Sequence, residues 1–558
     1  MSPSNPTRIV DLVRRWEEQT PDRVCLTVWQ DDHAPDRVTY RALWQEVLAL
    51  AALFSAEDLR PGAPIVIFAP SVSTFASAFL AAQKAGLVPI PIPPPDHLGG
   101  TERALKRITQ ILDRSQARTV FAPSGGTRAG DIVAPDVWTG IRWLTPNSVG
   151  SVSRTTETDA WTSVGCCQFT SGSGGRPNGV LLTHENMLAN IRGVQAVWNL
   201  GEQDVAVYWL PLFHDMGLFA LLRSLVIGFP LHLIPPMAFL LKPVTWLSLI
   251  SELRGTCSGA PNFGFALCVQ RITEAELARL DLSSWRVTSN GAEPVSRAVV
   301  EAFTTRFARC GFRPEAMVPS YGLAENTLIA TTSAAGSGIR FDEVSREGLE
   351  REGIARRAGG PGDRRWVASV GRPLPGQDVA IFDPAGSLLE ERRVGEVGVR
   401  GDSVMHGYLR GSDGDAGSTV RSDGWLLTGD LGYLAGGELF ITGRKKDLII
   451  RLGRNYDPQE LEVAAWQVPG VRTGRAAAFT VPGAAQERVV LMVECRHERD
   501  VDANDIRAAI RQAVFAAVGF VPDDIVLLPP RALPLTTSGK LMRPEARRLY
   551  VTHGARGA

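Results

Sequence analysis

The stretch Phe169–Val180 reads Phe-Thr-Ser-Gly-Ser-Gly-Gly-Arg-Pro-Asn-Gly-Val and organises the interpretation of the whole chain. A short apolar run, Val164–Gln168, precedes it and predicts a buried strand. After it, Thr183 is a good N-cap for a helix whose apolar residues recur at helical spacing. A loop rich in glycine and hydroxyl groups between rigid elements can turn several N–H groups toward one point, which favours a polyphosphate. A Ser/Gly surface turn has the same composition, so this stretch alone leaves both interpretations open.

The composition is that of an ordinary globular protein with no excess of either charge. The chain has 558 residues, of which 59 are basic, 59 are acidic and 44% are hydrophobic. This length predicts about three or four domain-sized units, or one large domain and a small one. A balanced charge gives no reason to expect nucleic acid or an anionic membrane as a partner.

Cysteine spacing and the N-terminal sequence indicate a reducing compartment. The seven cysteines form no CxxC pair, so we expect neither a disulfide framework nor a zinc site. The N-terminus lacks the continuous apolar stretch of a signal peptide, and we expect a cytoplasmic protein. The most apolar region, Leu218–Leu241, is interrupted by an arginine and by prolines, which predicts a buried segment and no transmembrane segment.

Strands and helices alternate through the first part of the chain. We predict strands at Pro64–Phe68, Leu87–Ile92 and Thr119–Phe121, with helices at Ser73–Ala85 and Arg103–Arg114 between them. Such alternation predicts crossover units and a largely parallel sheet. Further along, several short apolar runs each stop at a loop rich in glycine, proline and polar residues. Because ligands bind at the carboxyl ends of strands in open α/β sheets, we expect these loops to meet the glycine-rich loop at one crevice.

The pattern changes after about residue 375, where turn sequences typical of antiparallel hairpins separate short strands. The charged sequence Gly443–Asp447 then interrupts the apolar pattern, and we place a domain boundary there. We therefore predict an α/β fold with a large N-terminal domain over residues 1–443, built of α/β sheets and a β-rich subdomain. A hinge is predicted at 444–447 and a small α+β C-terminal domain at 448–558.

Five separated stretches resemble the adenylate-forming enzymes, the superfamily of acyl-CoA synthetases, peptide-synthetase adenylation domains and luciferases. They are Thr170–Gly179, Tyr321–Glu325, Thr428–Asp430, Gly443–Glu462 and Thr537–Lys540. Their order and spacing over nearly the whole chain make the resemblance specific. It implies the adenylate-forming enzyme fold, in which a small C-terminal lid domain rotates about a hinge. Lys446 matches the hinge position.

Three further features are similar to the fatty acyl-AMP ligase branch of that superfamily. Two are the block Trp209–Gly217 and the combination of Gly259–Phe263 with Gly291–Pro294. The third is a segment, placed at about 338–366, that resembles the characteristic insertion of the branch. The resemblance implies that ATP activates a fatty acid. The acyl group then passes to the phosphopantetheine thiol of an acyl carrier protein, or of a carrier domain of a polyketide or non-ribosomal peptide synthase.

The same resemblance assigns the site residues. Lys540 is implied to complete the adenylation site as a mobile cation, and Glu325 to hold Mg²⁺ with the help of Thr170. His214 is implied to be a gate near the acyl carboxylate. No general base is needed, because a carboxylic acid is already ionised near neutral pH. The residues implied to bind ATP are Thr170, Ser171, Gly172, Ser173, Gly174, Gly175, Gly291, Ala292, Glu293, Tyr321, Gly322, Asp430 and Arg444.

Several of these residues have a specific expected role. Tyr321 is expected to stack on adenine, Asp430 to accept hydrogen bonds from the ribose hydroxyls, and Arg444 to contact ribose or phosphate. The plainer alternatives are a half-buried aromatic residue, a turn aspartate and a solvated surface charge. Leu218–Leu241 and Pro261–Phe265 are candidate walls of an acyl tunnel, although we expect most of their residues to be core.

The glycine-rich loop departs from the superfamily's usual pattern, Thr-Gly-x-Pro-Lys-Gly. Gly174 stands where that pattern has threonine, and Asn178 where it has lysine. A missing cation near the β- and γ-phosphates should weaken the stabilisation of pyrophosphate, although backbone N–H groups remain and Arg176 could compensate. Asp457 likewise precedes Pro458 where an aromatic residue is more usual.

Two alternatives therefore stay open. One is an acyl-CoA ligase, with CoA as the acceptor. The insertion argues against it, because it resembles the element thought to restrain the rotation that CoA requires. The other is a catalytically impaired nucleotide-binding module, because the loop lysine is absent.

Overall fold

The parallel strands and the glycine-rich hairpin are the parts of the fold that position the site. The computed structural model describes residues 7–29, 34–57, 59–68, 71–93, 101–122, 140–145, 161–171, 177–409, 420–451, 454–483, 487–496, 503–535 and 541–553. Within these ranges, helices and strands alternate up to about residue 320, and strands predominate between about 329 and 456. None of the helices in these ranges has the length and apolarity needed to cross a membrane.

Several helices begin at residues whose side chains cap them. Thr39 accepts a hydrogen bond from the Ala42 N–H at 3.2 Å, which caps Tyr40–Ser55. Thr183 and Asn186 bond each other reciprocally and begin His184–Trp198. The other helices are Ile9–Gln19, Val72–Lys84, Thr101–Ser115, Asp215–Ile227, Pro236–Leu241, Val244–Leu253, Asn262–Arg271, Glu274–Leu277, Arg297–Phe307, Pro458–Trp466, Ala503–Val518 and Arg543–His553. Shorter helical turns are Ala308–Cys310, Pro314–Ala316, Ala324–Asn326, Gly348–Glu352 and Pro361–Asp363.

A nine-stranded sheet forms the centre of the N-terminal region. Its spatial order is Arg372–Pro373, Ile329–Thr332, Met317–Gly322, Val287–Gly291, Cys257–Ala260, Ala206–Tyr208, Leu231–Leu233, Val24–Val28 and Asp36–Thr39. The six strands from Met317–Gly322 to Val24–Val28 are parallel, and the strands beyond them at each edge pair antiparallel. The predicted parallel sheet is therefore confirmed. The loops that follow Tyr208, Ala260 and Gly291 all leave the sheet at one edge.

A second, fully parallel sheet belongs to the same region. Its strands, in spatial order, are Val88–Ile92, Pro64–Phe68, Thr119–Phe121 and Arg142–Leu144. The helix Thr101–Ser115 lies between two of these strands in the sequence, as expected for a crossover. Apolar residues of this sheet pack against Cys167, Phe169 and Leu181, so the sheet supports the glycine-rich segment from one side.

The segments on either side of the glycine-rich stretch pair with each other, and we call this pair the glycine-rich hairpin, whereas the sequence predicts a strand, a loop and then a helix. Val164–Ser171 pairs antiparallel with Pro177–Thr183, and the helix begins only at His184. The second strand forms because its residues alternate between buried and half-buried positions and because both of its edges are paired. Its other neighbour is the short strand Gly407–Tyr408.

The β-rich part of the chain is an antiparallel sheet of Gln377–Phe382, Gly395–Gly401, Leu426–Ala435 and Glu438–Arg444, as predicted. Within the segment that resembles an insertion, Phe341–Ser345 and Arg364–Ala368 form a hairpin-like pair of strands. After Lys446, Ile449–Arg451 pairs with Arg454–Tyr456. A further sheet of Val471–Val481, Arg488–Cys495 and Asp524–Leu528 packs on helices around its own apolar cluster. The proposed boundaries at 443 and 448 stay predictions.

Candidate active site

His214 lies at the carboxyl edge of the nine-stranded sheet. It precedes the helix Asp215–Ile227, and its Nδ1 lies 2.5 Å from the Asp215 carboxylate. Gln168 of the glycine-rich hairpin donates to the Phe213 carbonyl oxygen at 2.9 Å, which ties the hairpin to this loop. The close approach of this helix to Pro211 requires glycine at position 217, since a Cβ there would collide with the Pro211 carbonyl. The gate role of His214 stays a prediction.

The loop expected to contact adenine has a constrained backbone. A Cβ at Gly291 would lie 2.5 Å from the Ser320 carbonyl oxygen, so the two strand ends approach closely only because of this glycine. Ala292 adopts a φ of +65°, a region that residues with a side chain enter rarely. The Glu293 carboxylate accepts a hydrogen bond from the Phe263 N–H. The hydrogen bond joins the loop expected to contact adenine to the candidate acyl-wall segment Pro261–Phe265.

Tyr321, Asp430 and Arg444 form one contact network, which we call the nucleotide cluster. The Tyr321 hydroxyl donates to Asp430 Oδ2 at 2.8 Å, and Arg444 Nε donates to Asp430 Oδ1 at 2.7 Å. Asp430 and Arg444 are register partners on adjacent strands. Burial, with the charge of Asp430, raises the pKa of Tyr321 well above its usual value. Tyr321 therefore keeps its proton and holds the carboxylate in place.

Gly322 and Lys446 lie beside the nucleotide cluster. Gly322 cannot carry a side chain, because a Cβ there would collide with the Leu328 carbonyl. Burial and the charge of Arg444 lower the pKa of Lys446, while Asp430 and Glu325 act in the opposite direction. Lys446, the hinge lysine expected from the sequence, is thus close enough for the carboxylates of Asp430 and Glu325 to influence its pKa.

Glu325 lies in the short helical turn Ala324–Asn326 and faces the glycine-rich hairpin. Its Oε1 accepts a hydrogen bond from the Tyr408 hydroxyl at 2.8 Å, and its carbonyl oxygen accepts from the Met405 N–H at 2.8 Å. Tyr408 is a register partner of Val180 on the hairpin. Thr170 is half-buried on the neighbouring strand. The fold therefore brings the hairpin that carries Thr170 to the Glu325 side of the site.

Some predicted site residues lie outside the described part of the chain. They are Gly172, Ser173, Gly174, Gly175, Arg176 and Lys540. Ser171 is described by its backbone, which pairs with Pro177 at the base of the loop. The assignments of these residues stay predictions.

The two candidate acyl-wall segments meet at Trp209, which directly follows the strand Ala206–Tyr208. The Trp209 ring stacks on Phe239 with a centroid distance of 3.9 Å and meets Phe263 edge-on at 5.8 Å. Gly264 leaves room for this ring, because a Cβ there would lie 2.9 Å from it. Most residues of Leu218–Leu241 are buried in the main core, as expected.

A set of charged residues joins the hairpin-like segment 341–368 to the helix Pro458–Trp466, and we call it the insertion junction. Arg346 Nη1 donates to Glu460 Oε2 at 2.7 Å and to Glu350 Oε1 at 3.0 Å. Arg365 Nη2 lies 2.9 Å from Glu460 Oε1 and 4.0 Å from Asp457 Oδ2. Burial raises the pKa of Asp457 to about 6, against the opposing charge of Arg365.

The junction explains the unusual residue before Pro458. Asp457 is the N-cap of the helix Pro458–Trp466 and accepts a hydrogen bond from the Gln459 N–H at 3.1 Å. Aspartate is among the residues that cap helices best. Sequence reasoning missed Tyr408, Arg346 and Arg365, because each acts on a residue 83 or more positions away in the chain. The spacing between such partners carries no local signal.

The fold, with its strand-end loops beside the nucleotide cluster, is that of the adenylate-forming class of enzyme. A family model described as AMP-binding enzyme matches residues 13–409. The chain belongs to this AMP-binding enzyme family.

Relatives and solved structures agree with this assignment. The chain is 32% identical to a medium-chain-fatty-acid–[acyl-carrier-protein] ligase of Moorena producens, covering 98% of this chain and 95% of the relative. It is 34% identical to a putative acyl-CoA synthetase of Caulobacter vibrioides, covering 92% and 91%. A structure from work on fatty acyl-adenylate ligases of E. coli and L. pneumophila superposes with a TM-score of 0.90 at 32% identity, covering 99% of each chain.

Proposed function

We propose that this protein activates a fatty acid with ATP to form an acyl adenylate and pyrophosphate, and then transfers the acyl group to the phosphopantetheine thiol of an acyl carrier protein. The observation that carries the proposal is the nucleotide cluster. It presents a buried, oriented carboxylate whose charge acts on Lys446, as does the charge of Glu325. Asp430 retains lone pairs for the ribose hydroxyls, because among the described residues each of its oxygens accepts one hydrogen bond and can accept another.

Activation turns a poor acyl donor into a good one. A carboxylate oxygen of the fatty acid forms a bond to the α-phosphorus, and the bond from that phosphorus to the bridging oxygen breaks. The electron pair leaves with pyrophosphate, and the leaving group of the later acyl transfer is AMP. Two anions meet in this step, so cations and N–H dipoles must surround the α-phosphate. Lys540, Arg444 and the N–H groups of the glycine-rich loop are proposed for this work.

The residues around Glu325 fit a hard divalent cation. Mg²⁺ prefers oxygen ligands, retains several waters and is commonly held by one or two carboxylates together with substrate phosphates. Glu325 has one oxygen fixed by Tyr408 and further lone pairs available, and Thr170 adds a hydroxyl. Bound Mg²⁺ would supply charge neutralisation at the phosphates. Its protein ligands are proposed to be Glu325 and Thr170.

The acceptor is proposed to be a carrier-protein thiol. Relatives named as [acyl-carrier-protein] ligases, from Moorena producens and Teredinibacter turnerae, support this choice, whereas the Caulobacter relative is named for CoA. The insertion junction also favours the carrier protein. Ion pairs between segment 341–368 and the helix Pro458–Trp466 oppose the free rotation that would give CoA access. An acyl-CoA ligase remains the second candidate.

Product analysis tests the proposal. The purified protein is supplied with ATP, Mg²⁺ and fatty acids of different lengths, together with either holo-carrier protein or CoA, and products are identified by mass spectrometry. We expect pyrophosphate release, acyl-AMP and acylated carrier protein. Acyl-CoA as the main thioester would favour the second candidate. Binding of ATP with no pyrophosphate release would leave only the nucleotide-binding module.

A further inference from the structure

The base of the glycine-rich hairpin has a cation that does not belong to the loop. Arg114, at the end of the helix Thr101–Ser115, donates from Nη1 to the Pro177 carbonyl oxygen at 2.8 Å and to Asn178 Oδ1 at 3.2 Å. Pro177 and Asn178 are the first two described residues after the glycine-rich part of the loop, and they pair with Ser171 and Thr170. The guanidinium therefore lies where the loop begins and ends.

The charge of Arg114 is not neutralised by the rest of the described chain. Its contacts there are with a carbonyl and an amide oxygen, and no carboxylate lies within ion-pairing distance among the described residues. Arginine stays protonated at every accessible pH, and this one is half-buried, so water screens it less than a fully exposed side chain. A cation in this state attracts anions to the base of the loop.

Arg114 also accounts for the residue at position 178. The superfamily pattern has lysine there, and an ammonium at that place would meet the guanidinium across a short distance and be repelled. Asparagine is neutral and offers an oxygen that accepts from arginine. The loop lysine and the Arg114–Asn178 pair are thus two mutually exclusive ways of placing one positive charge at the loop.

We propose that Arg114 supplies the positive charge that the loop lysine provides in the superfamily pattern, and that it binds the β,γ-phosphates of ATP and the departing pyrophosphate. This inference rests on the proposed ATP-dependent adenylation. When the bond between the α-phosphorus and the bridging oxygen breaks, negative charge accumulates on pyrophosphate. Among the described residues, only Nη1 of Arg114 has an acceptor, and a guanidinium whose remaining N–H groups meet a phosphate can stabilise that charge through paired hydrogen bonds.

The test compares Arg114→Ala with Arg118→Ala, which removes an exposed arginine just beyond the same helix. Pyrophosphate exchange into ATP is measured without any carrier protein, over a range of ATP and fatty acid concentrations. We expect Arg114→Ala to lower kcat/KM for ATP by about 10²-fold, with little change in KM for the fatty acid. Arg118→Ala should stay within about twofold of wild type, as expected for a screened surface charge.

The decisive variant combines Arg114→Ala with Asn178→Lys. We expect the restored cation to recover at least about tenfold of the lost kcat/KM, a gain that a purely structural role of Arg114 would not produce. In the wild-type background, Asn178→Lys should bring no gain, because two cations would then repel each other. The inference is overturned if Arg114→Ala matches Arg118→Ala, or if Asn178→Lys fails to rescue a folded Arg114→Ala protein.

Calorimetry of pyrophosphate binding keeps this test separate from the proposed function. If the wild-type protein exchanges no pyrophosphate, the proposed adenylation fails. The same variants still report whether Arg114 binds the anion, through the dissociation constant of pyrophosphate. We expect that constant to rise about tenfold in Arg114→Ala and to fall again in the double variant. Equal constants in all variants would overturn the assignment of Arg114.

Discussion

The nucleotide cluster and the insertion junction are both built from arginines and carboxylates, yet they hold their partners differently. In the nucleotide cluster, Asp430 and Arg444 stand opposite each other on paired strands, and the buried Tyr321 fixes the second carboxylate oxygen. In the insertion junction, Arg346 and Glu460 reach each other from separate elements, 114 residues apart. Neighbouring strands fix geometry, whereas long side chains from separate elements allow contacts to be exchanged. The first arrangement suits a ligand site. The second suits a contact between two regions that are proposed to move apart.

The largest expected effect is on the nucleotide cluster. Asp430→Asn keeps the shape of the side chain but removes the charge that orients Tyr321, Arg444 and the proposed ribose hydroxyls. Losing charge-assisted hydrogen bonds of about 2–3 kcal/mol should lower kcat/KM for ATP roughly 30- to 150-fold, measured by pyrophosphate exchange. Asp378→Asn, in an exposed pair with Arg400 on the same sheet, is the matched control and should retain full activity. Equal activities of the two variants would contradict the assigned role of the cluster.

The next effect concerns the pH dependence of the insertion junction. Burial raises the pKa of Asp457 from 3.8 to about 6, so the folded protein binds this proton more tightly than the unfolded chain. The stability contributed in this way is complete below pH 3.8 and is lost as the pH rises through 6. Asp457→Asn keeps a capping oxygen without the charge. We expect it to be more stable than wild type by about 2 kcal/mol at pH 7.5 and nearly equal to it at pH 4.

Thermal unfolding at the two pH values measures this difference. Asp523→Asn is a useful contrast, because hydrogen bonding to Arg451 lowers the pKa of Asp523 and reverses the sign. That variant should lose stability at pH 7.5 and little at low pH. A stability difference between Asp457→Asn and wild type that does not change with pH would rule out the buried, protonatable aspartate at the junction.

A smaller effect is expected when the junction itself is weakened. Glu460→Gln removes the charge that faces Arg346 and Arg365, and both arginines keep other carboxylates nearby. We expect acyl-adenylate formation to stay within about twofold, and transfer of the acyl group to CoA to rise about fivefold, equivalent to roughly 1 kcal/mol. The ratio of acyl-CoA to acyl-AMP is the measurement. Glu545→Gln, which breaks the exposed contact with Arg548 in the last helix, serves as the control.

The smallest effect is expected at a neutral contact between the N-terminal and C-terminal regions. Gln270 Nε2 donates to Thr473 Oγ1 at 3.0 Å on the surface. Because water replaces such a bond readily, Gln270→Ala should change stability by less than about 0.5 kcal/mol and leave the acyl-CoA to acyl-AMP ratio unchanged. If Gln270→Ala changed the ratio of acyl-CoA to acyl-AMP as strongly as Glu460→Gln, neutral contacts between the two regions would restrain their movement as much as charged ones.

The fold was accessible from the sequence because its signals are local. The alternation of apolar runs predicts the parallel strands, and Thr183 predicts the start of a helix because it is a good N-cap. The second strand of the glycine-rich hairpin, Pro177–Thr183, was not predicted, because it is stabilised by neighbours at both edges. Only tertiary pairing decides such a segment.

The candidate site was accessible in part. The sequence singled out Tyr321, Asp430 and Arg444 separately, and the structure brings them into one network. The sequence could not indicate that Arg114 contacts Asn178, because the two residues are 64 positions apart and arginine is abundant in this chain. Long-range pairings of charged residues depend on how helices and strands pack together, and the periodicity of apolar residues in the sequence does not predict them.

The wide separation of Tyr321 and Asp430 has a consequence for protein synthesis. The two residues are 109 positions apart, and Arg444 follows later still. On the ribosome, the parallel strands up to Met317–Gly322 can assemble before the carboxylate that completes the nucleotide cluster has been made, since N-terminal parts fold first. The proposed ribose-side contact is therefore incomplete in the nascent chain until Arg444 has been made. The early sheets must reach their native packing without help from the nucleotide.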